Sequence, residues 1–342
     1  MAKNVTMRDI AEKVGVSTVT VSKALTDKEG VGAELRNIIR KTAEEMGYHY
    51  SAGDTGFRKG RSYNIGVIVE DHFIDVDEIA LPFYMKMYHN INRQLSQFQY
   101  SVIMEAITAD MLKYKRKPNI IAEHKVDGVI VLGYINTEYL QIVRESGIPV
   151  VYLDFYDAEM KVPSVISDNV YGSYMITNYL ISKGHRKMAY VGSIEATPSI
   201  LDRYLGYYRA LLNNNILLRQ DYILPDRDKN GYNIEIKLPE DMPTAFVCNC
   251  DEVANSLIEQ LMKKGYRIPE DISVVGFDNY SLSTFVKPKL TTVEVDIDEM
   301  TQTAVEMLIR QLKGEENVGG RKVICGKLIV RDSVKDLNKK NK

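Results

Sequence analysis

Residues 6–25 read TMRDIAEKVGVSTVTVSKAL. Thr6 stands three residues before Asp9, the spacing of a capping box in its acidic form. A helix is therefore predicted over 7–14, with Ile10, Ala11 and Val14 on its inner face. Gly15 follows, free to take the left-handed backbone that a side chain would resist. Val16 plugs the small core, and Ser17 caps a second helix over 18–25 with Val21, Ala24 and Leu25 inward. Two short helices about a Gly-containing turn form a helix-turn-helix. A third helix, over 33–46, carries Leu35, Ile38, Ile39, Ala43 and Met46 on one face, and Gly47 ends it.

One face of the second helix is then left over. Thr18, Val19, Ser22 and Lys23 project from it near the N-terminal half, the part that enters a major groove in such motifs. The hydroxyls of Ser17 and Thr20, with the helix N-terminus, suit phosphate oxygens. Charge points the same way: residues 1–62 hold 11 Lys/Arg against 8 Asp/Glu, a net +3, whereas the whole chain is −2. That asymmetry is too small to argue nucleic-acid contact without the motif behind it.

Beyond about residue 64 the pattern changes. Apolar runs at 65–69, 101–106, 126–132, 148–153, 188–192, 244–248 and 272–277 alternate with amphipathic stretches at 84–97, 170–183, 203–213, 252–264 and 298–312. Continuous apolar runs suit strands buried on both faces of a parallel sheet. The repetition predicts an α/β body of two layered units, each a doubly wound parallel sheet. Between head and body, SAGDTGFRKGRS at 51–62 has three Gly and no apolar periodicity and is expected to be a linker. The tail from Lys335, rich in Lys and Asn, is expected to fray.

Composition excludes several classes. No apolar window is long enough for a transmembrane helix, and the N-terminus lacks a signal-peptide core, so a cytoplasmic protein is expected. Cys248, Cys250 and Cys325 are an odd number without a CxxC pair, which supports neither a disulfide framework nor a zinc site. No P-loop, dinucleotide fingerprint, HExxH or GxSxG is present. His185 is expected to be a structural hydrogen-bonder, so no catalytic residue, metal or cofactor is expected.

The motif at 6–25 closely resembles the head of the lactose-repressor (LacI/GalR) family of bacterial transcription regulators. The resemblance continues at 47–48 (GY), 167–169 (SDN), 184–186 (GHR), 202–211 (DRYLGYYRAL), 272–279 (ISVVGFDN), 290–293 (LTTV) and 328–333 (LIVRDS). It implies a DNA-binding head over 1–50, a hinge over 51–62, and a dimerising core over 63–336 similar to periplasmic sugar-binding proteins, with 337–342 a disordered tail. The first lobe would comprise about 63–162 with 294–322, and the second 163–293 with 323–336. Thr18, Val19 and Lys23 match base-reading positions, although Lys23 replaces the more usual Arg and lacks its rigid fork. Thr6, Ser17, Thr20 and Ser22 complete the candidate DNA face. In the hinge, Phe57 stands where a Leu wedge is expected, with Arg58 beside it. Asp54, Gly53 and Gly56 depart from the family's helix there, leaving a minor-groove wedge and a flexible tether both open.

In two-lobed α/β folds a ligand sits outside the carboxyl ends of the strands. The apolar runs are followed by Asp154–Phe155, by Asn249–Cys250–Asp251 and by Asp278–Asn279, and Arg203 is expected to open the helix over 203–213. Phe83, Tyr84 and Phe277 are candidate stacking faces for a sugar ring, and Asp251 is a candidate helix cap. The resemblance singles out Asp154, Arg203 and Asp278 as effector contacts. It also implies that Cys250 and Val295 have replaced polar groups common in the family, leaving a less polar pocket. The function expected is a repressor that binds a pseudo-palindromic operator as a dimer and answers to a small sugar. The alternative is a sugar-binding protein with a vestigial head.

Overall fold

The computed structural model describes residues 6–25, 29–46, 61–74, 81–157, 162–228, 231–279, 287–315 and 318–339. The chain divides into two units, Met1–Arg61 and Ser62–Lys342.

In the first unit α1 (Met7–Val14), α2 (Thr18–Leu25) and α3 (Ala33–Glu45) enclose Ile10, Ala11, Val21, Ala24, Leu25, Ile39 and Ala43. Thr6 completes a reciprocal capping box with Asp9, and Gly15 takes φ 76° to close the turn. Ile38 departs from expectation: it is exposed, because the small head core admits one ridge of α3, through Leu35, Ile39 and Ala43. The expected linker falls outside the described residues, with Phe57, Arg58, Gly47, Gly53, Asp54 and Gly56, save for its last two positions. Of those two, Ser62 belongs to the body: its backbone N and Oγ donate to Asp127 Oδ1 at 2.7 and 2.9 Å.

The second unit opens with β1 (Asn64–Glu70), whose five central residues are all buried. Ile65, Val67 and Val69 face one helix layer while Ile68 faces the other, as a strand sandwiched on both sides requires. The first sheet also contains β2 (Ser101–Ile107), β3 (Gly128–Leu132), β4 (Val150–Leu153), β5 (Ser164–Ser167) and β11 (Arg321–Ile324), all parallel, in the order β2-β1-β3-β4-β5-β11. One face is covered by α4 (Leu81–Ser96) and α11 (Ile297–Leu312), the other by α6 (Asn119–Ala122) and α7 (Thr137–Arg144), with α5 (Ala109–Lys113) following β2.

The second sheet has four parallel strands in the order β7-β6-β8-β9: β7 (Ile223–Leu224), β6 (Met188–Val191), β8 (Ala245–Cys248) and β9 (Ser273–Val275). Helices α8 (Asn169–Ser182) and α9 (Pro198–Asn213) cover one face and α10 (Asp251–Lys263) the other. Both orders reverse beside the first strand of the sheet, between β1 and β3 and between β6 and β8.

The lobes exchange chain at three places, and two lie later than expected. β5 and the whole of β11 are strands of the first sheet, so the boundaries drawn at 162 and 322 move to about Asp168 and Cys325. The middle crossing runs through β10 (Thr292–Glu294), which pairs antiparallel with β12 (Lys327–Ile329). Asp168 N donates to Ile324 O at 2.8 Å and ties the first crossing to the third. The tail is not frayed through Lys339. Leu337 N donates to Lys183 O, and Lys183 Nζ lies 3.0 Å from Asp336 Oδ2, pinning this stretch to the end of α8.

Candidate functional site

Two surfaces carry the candidate residues. On the head, Ser17 Oγ accepts from Thr20 N at 3.1 Å and so caps α2, and its hydroxyl also lies 2.9 Å from Thr20 Oγ1. Thr18, Val19 and Lys23 are exposed on the same helix, Ser22 and Thr20 are half-buried, and Thr6 is held in its capping box. A 63% exposed Val is an apolar side chain with nothing to pack on inside the head, the position from which a thymine methyl can be read.

The second surface is a cleft in the body at the strands' carboxyl ends. It is lined by His72 and Phe73 after β1, Asp154 after β4, Arg227 after β7, Asn249–Glu252 after β8 and Asp278 after β9, with Phe83 and Tyr84 of α4 and Arg203 of α9. At its centre the Arg203 guanidinium is held from four sides. Nε donates to Asn169 Oδ1 at 2.8 Å, Nη1 to Asn249 O at 2.6 Å, and Nη2 lies 3.0 Å from Asp278 Oδ1. The Phe277 ring stacks beneath it at 4.0 Å. Asp154 and Asp278 both sit at positive φ, 71° and 104°, uncommon for a residue with a side chain; inter-strand bonds to Val165 O and Val293 O hold them there.

Tyr84 Oη donates to Asp154 Oδ2 at 3.2 Å. Burial pushes the Asp154 carboxyl up to about 7 against the pull of Arg203, and nearby Asp278 adds to the rise. Burial likewise raises Asp278 to about 6, with Arg203 again opposing. Arg203 itself stays firmly protonated, since the two carboxylates outweigh the cost of its burial.

Several expectations change. Arg203 does not open its helix: Thr197 Oγ1 caps α9 and Pro198 begins it, so Arg203 sits in the second turn, aimed into the cleft. The Thr-Pro pair is a readable helix start that went unused. Asp251 does not cap α10; Cys250 holds that position without a side-chain bond, and Asp251 Oδ1 accepts from Thr292 Oγ1. Phe277 offers no face to a ligand, because it is buried beneath Arg203 and against Gly172. The Asn249 amide lines the cleft yet donates to Val191 O and Asp226 Oδ2, so it braces the sheet. Val295 is buried in the core. The cleft is more polar than expected: Thr197, Ser199, Arg227, Asn233 and Glu252 also line it. Arg227 follows a two-residue strand too short to stand out as an apolar run.

His185 is wholly internal, with Nδ1 2.9 Å from Thr244 Oγ1 and Nε2 3.1 Å from Lys335 O, and burial lowers its pKa. Cys248 is buried in the second lobe's core, whereas Cys250 lines the cleft. No helix among the described residues is long and apolar enough to cross a membrane.

Comparison with known proteins agrees with this architecture. Residues 6–51 match the model of bacterial regulatory proteins of the lacI family, and residues 177–334 match that of the periplasmic binding protein-like domain. The chain is 29% identical over 338 residues to the HTH-type transcriptional repressor CytR of Escherichia coli (strain K12), covering 97% of each. Among solved structures it matches a lac repressor dimer bound to operator and an anti-inducer, with a TM-score of 0.73 at 23% identity, over 97% of this chain and 100% of that one. It also matches a LacI family transcriptional regulator from Enterococcus faecium with bound ribose, with a TM-score of 0.66 at 26% identity, over 80% of this chain and 99% of that one.

Proposed function

The chain belongs to the LacI family of bacterial regulatory proteins, and on that premise we propose that it is a transcriptional repressor whose hold on operator DNA is set by a sugar-like effector bound in the cleft. The observation that carries this reading is a fully capped and packed helix-turn-helix, its outer face bearing Thr18, Val19 and Lys23, in one chain with a two-lobed cleft built around Arg203. A vestigial head would not keep a reciprocal capping box and a closed apolar core. As a homodimer the protein presents two recognition helices to a pseudo-palindromic site, about 34–36 Å apart for half-sites one turn apart. The effector changes operator affinity only by the difference between its affinities for two arrangements of the lobes. DNA as the target, and relatives that are regulators, place the protein in the cytoplasm with no catalytic role.

The test is selection from a random duplex pool by the full chain, beside a variant beginning at Ser62. Enrichment of a two-fold palindrome is expected from the full chain alone, while both proteins gain thermal stability with the same saccharides. Retention of DNA without sequence enrichment would leave only the electrostatic attraction and overturn operator recognition. Replacing Lys23 by Ala is expected to weaken the selected site by about tenfold, the worth of one base contact (~1–3 kcal/mol). Titration by fluorescence anisotropy measures it.

Effector affinity should also follow pH. Hydroxyl donors need Asp154 as the carboxylate, which its environment holds protonated below about 7. Affinity measured by calorimetry is expected to fall by up to tenfold per pH unit below that value and to level off above it. Asp154→Asn should flatten the profile. Because the folded-state pKa is raised, the charged form costs stability as pH rises from the ordinary carboxylate range through about 7. The same variant is therefore expected to melt higher than wild type at pH 8 and to lose that advantage at pH 4.

A further inference from the structure

The cleft has two chambers. The inner, around Arg203, Asp154 and Asp278, encloses about 100 Å³, and the outer, lined by Glu70, Tyr134, Asn136, Ser193, Glu195 and Asp228, encloses about 570 Å³. His72, Phe73, Thr197, Arg227 and Gly231 line both and form the neck between them. Ligand sites run to about 300–1,000 Å³. The inner chamber falls well short of that range, although it holds the oriented polar groups; the outer lies within it.

Charge narrows the choice further. Both arginines of the cleft are already paired, Arg203 with Asp278 at 3.0 Å and Arg227 with Asp226 at 2.7 Å. No lysine lines either chamber among the described residues, whereas Asp154, Glu252, Glu70, Glu195 and Asp228 add carboxylates. A phosphate entering here would displace an existing ion pair and face an acidic wall. Hydroxyls, which donate to carboxylates and accept from the neck's polar groups, meet neither penalty.

We infer that the effector is a neutral two-ring glycoside, one ring seated at Asp154 and Arg203 and the second in the outer chamber beside Tyr134. This deepens the proposed function and rests on its effector reading. The second ring is either another sugar, as in a disaccharide, or a planar base, as in a nucleoside; both present a face to Tyr134 and hydrogen-bonding edges to Glu195 and Asn136.

The test is calorimetric titration of the full chain with cellobiose and maltose, with cytidine and adenosine, with glucose and ribose, and with glucose 6-phosphate. At least one two-ring ligand is expected to bind tenfold or more tightly than its own single ring, and the phosphate more weakly than glucose. Tyr134→Ala should cost the two-ring ligand at least tenfold while leaving the single ring within twofold, whereas Asp154→Asn should weaken both. The disaccharide and nucleoside arms identify the second ring. Glu195→Gln, at an exposed side chain, repeats the test with a smaller selective loss should Tyr134→Ala fail to fold. A single ring binding as tightly as every two-ring probe, a phosphate binding more tightly than its parent, or equal losses for both lengths in the outer-chamber variants would overturn the inference. If no probe binds the wild type, the effector reading falls and takes the inference with it; palindrome selection by the head tests operator recognition separately.

Discussion

Arg203→Ala is expected to abolish the effector response, lowering effector affinity by at least a hundredfold while operator binding by the separate head unit persists. The substitution removes one guanidinium and leaves three acceptors without their donor: Asn169 Oδ1, Asn249 O and the Asp278 carboxylate. Breaking a buried pair from one side costs about 3–5 kcal/mol, because the abandoned charge stays buried. Asp278 would then protonate more readily still, since Arg203 is what opposes the effect of its burial. The Phe277 ring would lose its stacked cation and gain room to move into the cleft. Arg203→Lys keeps the charge without the fork and should fall between wild type and Ala. Calorimetry with the effector, anisotropy with the operator and a urea melt together separate lost binding from lost fold. If Arg203→Ala binds effector normally, the centre of the cleft has been misassigned.

Gly206→Val is expected to have the largest effect on stability, costing the second lobe about 3 kcal/mol or more. Gly206 lies where α9 crosses α8, and a Cβ there would collide with Val170 O and lie 2.9 Å from both Ser173 Cβ and Tyr174 N. Two of these three atoms are backbone, so no rotamer change relieves the contact; the helices must separate. Separation would draw Arg203, one turn earlier on α9, away from Asn169 at the start of α8. Effector-induced stabilisation should therefore disappear along with several degrees of melting temperature. Leu205→Ala, at the exposed neighbouring position, should change stability by less than about 0.5 kcal/mol. Comparable melts for the two variants would refute the crossing as a packing constraint.

Much of this protein can be read along the chain because the controlling interactions are local. Thr6 with Asp9, Gly15 at the turn and Ser17 before α2 act within three or four residues, so the head is legible from spacing alone. The long strands are legible for a related reason. A strand covered on both faces must be apolar throughout, and 65–69, 126–132 and 148–153 show this without reference to anything distant. Short segments fail that test: β5 is Ser-Val-Ile-Ser and β7 only two residues, so the first lobe boundary and the position of Arg227 were lost with them.

Sequence by itself thus determined a helix-turn-helix head, an α/β body and the strand ends at which a ligand must sit, all consequences of periodicity and nearest neighbours. It also marked Asp154, Arg203 and Asp278, but as separate points 49 and 75 residues apart. Only the tertiary structure decided that Arg203 and Asp278 are partners, that Phe277 lies beneath them as a floor, and that Asn249 braces the sheet. It alone decided that Asp251 turns toward Thr292 and does not cap α10, and that the tail is pinned to α8. The reason is physical. A side chain's partner depends on which strand ends the sheet order brings together, and pairings between β8 and β9, or between β5 and β11, leave no periodic trace in the segments they join.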